Sequence, residues 1–398
     1  MAKTSVLISG AGIAGVTLAY WLLRRGFEPV LVERAPHFRE GGYVIDFWSL
    51  GFDITERMQL IPTLRERGYV MDHLRYVNDD GSTRTELGAT AIRRALGNRF
   101  LSILRGDLAR SIYELVEGKV EAIYGDSVRA LHEDASGVEV EFERGAARRF
   151  DLVVGCDGLH SAIRALTFGP ADQFERYLGY YAASFVTPDY PDRDEHTYVS
   201  YAAPGRQISR YALRGGRTAF LFVWTRKEKF ADEPRDREGQ KRLIEEAFGA
   251  DGWRERAKIF EHLQASEELY FDSVSQIHVP SWSRGRVALV GDAAHCPSLL
   301  AGEGSVFAIA GAYMLAGELQ RVGGDHQAAF STYERTYRPF IERKQKGARS
   351  FASSFAPATR LGIFARDQAL RLMNLPVLGE WMIRRMVVDK FTLPEYPA

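Results

Sequence analysis

The chain has 398 residues, of which 45% are hydrophobic and 26% charged, and its formal net charge is zero. That length supports two domains sharing a large core, and the charge balance lacks the basic stripe that binds nucleic acid. Two cysteines without metal-ligand spacing, no apolar run long enough for a bilayer, and no room for a signal peptide before the first strand lead to the expectation of a cytoplasmic protein with no metal, membrane or nucleic-acid partner.

From the start of the chain, Val6-Leu7-Ile8 leads into Gly10-Ala-Gly12-Ile13-Ala14-Gly15 and then into Val16 to Leu23. This is the strand, glycine loop and helix of a dinucleotide-binding βαβ unit. Gly10 permits the tight turn, Gly12 lets backbone N–H groups reach a pyrophosphate, and Gly15 lets the helix lie close on the strand. The N-terminus of that helix, at Ile13 and Ala14, adds partial positive charge toward the phosphates. A second strand, Pro29 to Val32, ends at Glu33-Arg34, with Glu33 18 residues beyond Gly15. A carboxylate there accepts from both ribose hydroxyls of an adenosine and repels a 2′-phosphate. The plainer alternative is a surface acid.

Residues 35–60 form a long connection with a bend at Gly41-Gly42. Arg39 reads either as a cofactor or phosphate contact or as a solvated loop arginine, and Asp46 as a residue of a substrate cavity. Val70 to Tyr76 and Ser82 to Leu87 flank Asn78-Asp-Asp-Gly81, a hairpin that interrupts the nucleotide fold. Ala89 to Phe100 has little clear chemistry. Arg105 begins a helix, and its guanidinium fork suits phosphate and carbonyl oxygens. Val120 to Ile123, Ser127 to His132 and Val138 to Phe142 alternate like a meander of strands. Phe150 to Gly155 is the strand before Cys156-Asp157-Gly158-Leu-His-Ser161-Ala-Ile-Arg164. Asp157 reads as a helix cap, as an orienting group near a pyrophosphate, or as both.

From Tyr177 to Trp224 aromatic residues crowd into alternating runs such as Thr218-Ala-Phe220-Leu-Phe222-Val-Trp224, the pattern of a broad antiparallel sheet. Phe222 and Trp224 are candidates for the floor of a cavity for a flat, conjugated substrate; the alternative is a packed aromatic core. Arg210 is a candidate partner for an acidic or enolate oxygen. Arg237 to His262 reads as helices and Leu269 to Val279 as a strand. Val287 to Val290 is a buried strand ending in Gly291-Asp292-Ala-Ala-His295, and Gly302-Glu303-Gly304 precedes another helix. His326 to Ala352, Gly362 to Met373 and Leu378 to Val388 read as further helices, the last two separated by Pro376.

The glycine loop, the Asp157 segment and the Gly291-to-Gly304 segment, in this order and at these separations, resemble the single-component FAD monooxygenases of the p-hydroxybenzoate hydroxylase type, closest to the tetracycline-inactivating and antibiotic-tailoring branch. The resemblance implies an α/β fold. A Rossmann-like FAD-binding domain would take 1–70, 101–175 and 280–325, an inserted antiparallel-sheet substrate domain 71–100 and 176–279, and a C-terminal helical segment 326–398. Non-covalent FAD would be held by Gly10, Gly12, Ile13, Ala14, Gly15, Glu33, Arg34, Arg39 and Arg105. The family also implies Val128 against adenine, Asp157 near the pyrophosphate, Asp292 on a ribitol hydroxyl, and Gly302 and Gly304 beside the isoalloxazine.

The implied reaction is hydroxylation of an aromatic or enolic, polyketide-like small molecule by O2 through the flavin C4a-hydroperoxide, with NADPH or NADH as transient donor. The flavin carries that chemistry, so no protein nucleophile is named. The chain departs from the family pattern at Leu299 (usually proline), Val306 (usually asparagine) and Glu303 (commonly glutamine). An anionic Glu303 beside the ring would oppose reduced-flavin charge unless it points away or its pKa is raised. His295 reads as structural. Competing readings are a flavin halogenase, for which Trp282 lacks the needed neighbours, an FAD-dependent reductase, and a flavin-binding sequestering protein without oxygenase activity. A monomer or weak homodimer is expected.

Overall fold

Two sheets of opposite character organise the molecule. The first is six-stranded, in the order Ser283–Arg284, Val287–Leu289, Leu152–Gly155, Ser5–Ser9, Glu28–Glu33, Glu121–Tyr124. All its neighbours are parallel except the short first pair. Its central strands are continuous apolar runs because both faces are covered, as parallel sheets require. The helices Ile13–Arg24 and Gly304–Arg321 pack on it; the latter is apolar nearly all round and buried over most of its length. The computed structural model describes residues 3–39, 41–90, 92, 96, 99–387 and 391–397. The expected helix end at Val388 and most of the stretch from Ala89 to Phe100 that showed little chemistry lie outside the described residues.

The expected meander divides differently. Glu121–Tyr124 joins the parallel sheet beside Glu28–Glu33, while Val128–Asp134, Gly137–Phe142 and Arg148–Phe150 form a separate antiparallel sheet. The run from Phe150 to Gly155 breaks at Asp151. Its carboxylate accepts from the Ser5 backbone N–H at 2.7 Å and the Ser5 hydroxyl at 2.8 Å, pinning two strands together where one sheet hands over to the other.

The second large sheet has seven strands, in the order Tyr270–Ile277, Glu175–Pro188, Arg217–Thr225, Arg206–Ala212, Thr197–Ala203, His73–Val77, Thr83–Gly88. The last two are the hairpin expected around Asn78 to Gly81. Every neighbouring pair is antiparallel except Thr197–Ala203 with His73–Val77. One face carries Phe185, Phe220, Phe222 and Trp224 against Ile244, Phe248 and Phe260 of the helices Arg237–Phe248 and Arg256–Ala265. The other carries Tyr198, Tyr211, Leu221 and Val223, in a cluster with Leu104 and Leu300. Leu104 ends a two-stranded ribbon, Val44–Trp48 with Phe100–Leu104, that leans over this second face. His326–Phe355 continues as a helix through Pro339, followed by the helices Arg360–Met373 and Pro376–Val387.

Candidate functional site

A crevice of about 780 Å³, its open mouth included, runs along the C-terminal ends of the parallel strands. That is where open α/β sheets bind ligands, since the loops there end in helix N-termini. The three sequence motifs converge on it. Gly12, Ile13 and Ala14 come from the first loop, Gly158 from the second segment, and Asp292, Gly302 and Gly304 from the third; Arg105 closes one side.

The glycines divide into two kinds. A Cβ on Gly15 would stand 1.9 Å from the Gly10 carbonyl oxygen, and one on Gly10 would stand 2.7 Å from that of Cys156. These two let the backbone pack on itself. A Cβ on Gly12 would meet only the Arg105 guanidinium at 3.9 Å, and one on Gly158 or Gly302 would meet nothing within 4 Å. All three face open space; at Gly12 the fold alone does not require a small residue, whereas Gly158 and Gly302 also adopt φ 79° and 71°, where the backbone itself favours glycine. A cradle of bare backbone beside a guanidinium and a helix N-terminus fits a pyrophosphate.

Glu33 is held at the loop, with one carboxylate oxygen accepting from Ala11 N and the other from Ala35 N, both at 2.9 Å. The backbone of Asp126 donates to the Glu33 carbonyl oxygen at 3.2 Å, which brings the strand start at Val128 beside it. Val128 and Glu33 therefore lie together at one end of the glycine loop, outside the residues that line the crevice. Arg34 and Arg39 are exposed, and neither lines the crevice.

Asp157 is a tether. Its carboxylate accepts from the Ser161 hydroxyl and from Ile163 N, and Ser161 in turn caps the helix Ala162–Thr167. Arg164, 1% exposed, donates to the carbonyls of Ala293 at 3.0 Å and Leu159 at 2.6 Å, tying the second motif to the third. Burial pushes the Asp157 and Asp292 carboxyls above the ordinary carboxylate range; at Asp292 the Arg105 charge works against that rise.

His295 is buried, with its ring 4.6 Å from that of Trp282 and Nε2 3.4 Å from the Tyr333 hydroxyl. Desolvation lowers its pKa to about 3, so the ring is neutral, which suits packing rather than proton transfer. Both cysteines are free and buried, and burial raises both thiols well above their ordinary value. The Glu303 carboxylate pairs with Lys344 at 2.6 Å, so its charge is directed at a lysine of the long helix.

Several lining residues escaped the sequence reading: Tyr43, Ile45, Tyr270, Ser273, Ser275 and Ser298. The first two follow the Gly41-Gly42 bend in alternation, which was a usable signal. Ser298 adopts φ 125°, a rare conformation for a residue with a side chain, and accepts from Leu300 N. Nothing in its local sequence announces that.

The substrate residues need correction. Arg210 is 3% exposed and bound to Glu255 at 2.9 Å and Asp194 at 2.6 Å. It lies opposite Phe220 in the register, on the helix-covered face, so both its ion pairs point away from the crevice. Phe222 and Trp224 lie on that same covered face. Strand parity decides this: Leu221 and Val223, one residue away, take the face toward the crevice. Asp46 does reach that second face. Its Oδ1 accepts from the Ser102 hydroxyl at 2.7 Å and the Tyr198 hydroxyl at 2.8 Å, and burial raises its pKa. Half-buried Tyr43 and Leu299 belong both to the crevice lining and to the margin of the Leu221 cluster, so the two are contiguous.

Comparison with known proteins agrees with this geometry. Residues 3–347 match the family described as an FAD binding domain. The protein Rv1260 of Mycobacterium tuberculosis is 38% identical over 345 residues, covering 86% of this chain and 91% of its own. A flavin-dependent monooxygenase from an unknown prokaryotic organism is 32% identical over 391 residues, 98% of each. The crystal structure of the tetracycline destructase Tet(51) superposes with a TM-score of 0.84 at 31% identity, over 99% of this chain and 100% of that one.

Proposed function

Since the chain belongs to the FAD-binding-domain family and is an FAD-dependent monooxygenase, we propose that it hydroxylates an aromatic or enolic, polyketide-like small molecule with NADPH or NADH as electron donor and O2 as co-substrate. The observation that carries this reading is the shared wall of Tyr43 and Leu299 between a backbone-lined crevice and an apolar sheet face. Bound FAD supplies the redox and oxygen-transfer chemistry. Arg105 and the open faces of Gly12 and Gly158 would hold its pyrophosphate, Glu33 its adenosine ribose, and Asp292 its ribitol. The N-terminus of the helix opening at Gly304 lines the crevice, and its N–H groups would support negative charge on a bound flavin ring. Lys344, by pairing Glu303, removes a carboxylate charge that would oppose it.

The sheet region expected at 71–100 and 176–279 supplies the substrate side. Leu221, Val223 and Tyr211 offer a flat apolar surface that excludes water, and Asp46 with Tyr198 forms its polar end. A substrate hydroxyl donating to Asp46 would be oriented there. The test is direct. The purified protein should be yellow with FAD. A substrate should stimulate NADPH oxidation and yield a product heavier by one oxygen. A colourless protein, or stimulated oxidation that releases only hydrogen peroxide for every phenol and enol tried, would overturn the reading. Asp46→Asn should lower kcat/KM about tenfold or more while leaving the flavin spectrum unchanged.

A further inference from the structure

The helices Arg360–Met373 and Pro376–Val387 each turn one stripe outward. Leu361, Phe364 and Leu372 on the first, Leu375 in the turn, and Val377 and Trp381 on the second are 47% to 84% exposed. Among the described residues the other exposed large hydrophobics are Leu378 of the same hairpin, at 38%, and Leu166, at 45%. The exposure is therefore concentrated in one hairpin, and contiguous patches of this kind mark contact surfaces.

The inward faces are fully engaged. Asp367 is buried against Arg84 at 2.8 Å and Arg366 at 3.0 Å, Asn374 bonds the backbone of Gly88 and Glu86, and Ile363 and Ile383 are buried. A Cβ on Gly379 would stand 1.8 Å from the Met373 carbonyl oxygen, so the second helix starts hard against the end of the first. The outward stripe is thus a fixed feature of an anchored hairpin.

Its charge is one-sided. Arg360 is exposed and pairs with no carboxylate among the described residues; Arg371 is exposed and donates to a backbone carbonyl, that of Arg84. Arg384 pairs with Glu380, the hairpin's one acid outside the buried Asp367 among the described residues. Leucine, phenylalanine and tryptophan flanked by arginines form the pattern of a helix that lies in a bilayer interface. No described helix is long and apolar enough to span one, so a contact of this kind lies on the surface. A second copy of the chain suits the stripe poorly, because the one acid its described hairpin would bring to Arg360 and Arg371 outside the buried Asp367, Glu380, is already paired with Arg384.

We propose that this hairpin docks on the surface of an anionic lipid bilayer, with its apolar stripe in the headgroup region and Arg360 and Arg371 against lipid phosphates. The sequence led to the expectation of no membrane partner because no apolar run spans a bilayer; surface docking departs from that expectation and needs no such run. The preceding residues Phe355 and Ala356 belong to the apolar cluster on the crevice side of the sheet, so docking sets that wall of the site near the lipid.

The full-length flavin-bound protein should cosediment with phosphatidylcholine vesicles containing phosphatidylserine, and much less with phosphatidylcholine alone. Arg360→Gln should weaken binding to the anionic vesicles about fivefold. Phe364→Ser with Val377→Ser should weaken it about tenfold or more. All variants should keep wild-type flavin absorbance, since these side chains are exposed. Absence of binding to either vesicle, or binding unchanged in the double variant, would overturn the proposal. So would light scattering that shows a dimer dissolved by the double variant, because the stripe would then be covered by a second copy.

Discussion

The two faces of the seven-stranded sheet are drawn from the same strands and do opposite work. One is sealed by two helices and carries the larger rings, Phe185, Phe220, Phe222 and Trp224, and the buried Arg210–Glu255 pair. The other carries smaller side chains, Leu221 and Val223, with Tyr198 bonded to Asp46, and borders the crevice at Tyr43 and Leu299. The difference teaches that ring size and charge mark the face that holds the sheet together. Leu221 and Val223 are themselves buried, and open space begins only at the margin of their cluster, where Tyr43 and Leu299 line the crevice.

If that division is right, the sealed face should give large losses of stability without altering catalysis. Arg210→Met should cost about 3–5 kcal/mol by stranding Glu255 in the interior. Denaturant unfolding would read the loss, while KM for a substrate stays constant; a raised KM with unchanged stability would return Arg210 to the site. Phe222→Ala should cost about 3–5 kcal/mol, again with unchanged KM. Leu221→Ala should cost nearer 2 kcal/mol and raise KM, a reversal of effects between adjacent residues.

The crevice sharpens the same contrast with its glycines. Gly15→Ala should destabilise by roughly 3 kcal/mol, because its Cβ meets backbone that cannot give. Gly12→Ala should leave unfolding of the flavin-free protein nearly unchanged and weaken FAD retention, measured by flavin release on dilution. The most gradual effect is a pH slope from His295. Its native pKa of about 3 lies below the ordinary 6.5. The unfolded chain therefore binds the extra proton between those values, and stability should fall as pH drops below 6.5, by up to about 1.4 kcal/mol per pH unit. His295→Gln should flatten that part of the profile.

Legibility followed the range of the interactions. The turns that converge on the crevice could be read from residues 10–15, 157–164 and 291–304 because each is a local backbone requirement written as glycine, aspartate and a following apolar helix. Even so, the exposed positions of Arg34 and Arg39 were invisible, since a loop arginine has the same sequence whether it folds inward or outward. On the sheet, alternation in 218–224 was clear, yet its sign was not. A period of two is satisfied by either face, and the helices that choose between them lie some 15 to 40 residues further on.

By itself, then, the order of residues determined a dinucleotide-binding α/β unit and a broad antiparallel sheet, because short-range turns and strand patterns encode those features directly; that the dinucleotide is FAD came from the resemblance of three motifs to a known family. Only the tertiary structure decided which side of that sheet meets the crevice, which charged groups are consumed in ion pairs, and which apolar stripe remains in water. Those outcomes depend on which distant segment arrives to cover a surface, and no local pattern carries that information.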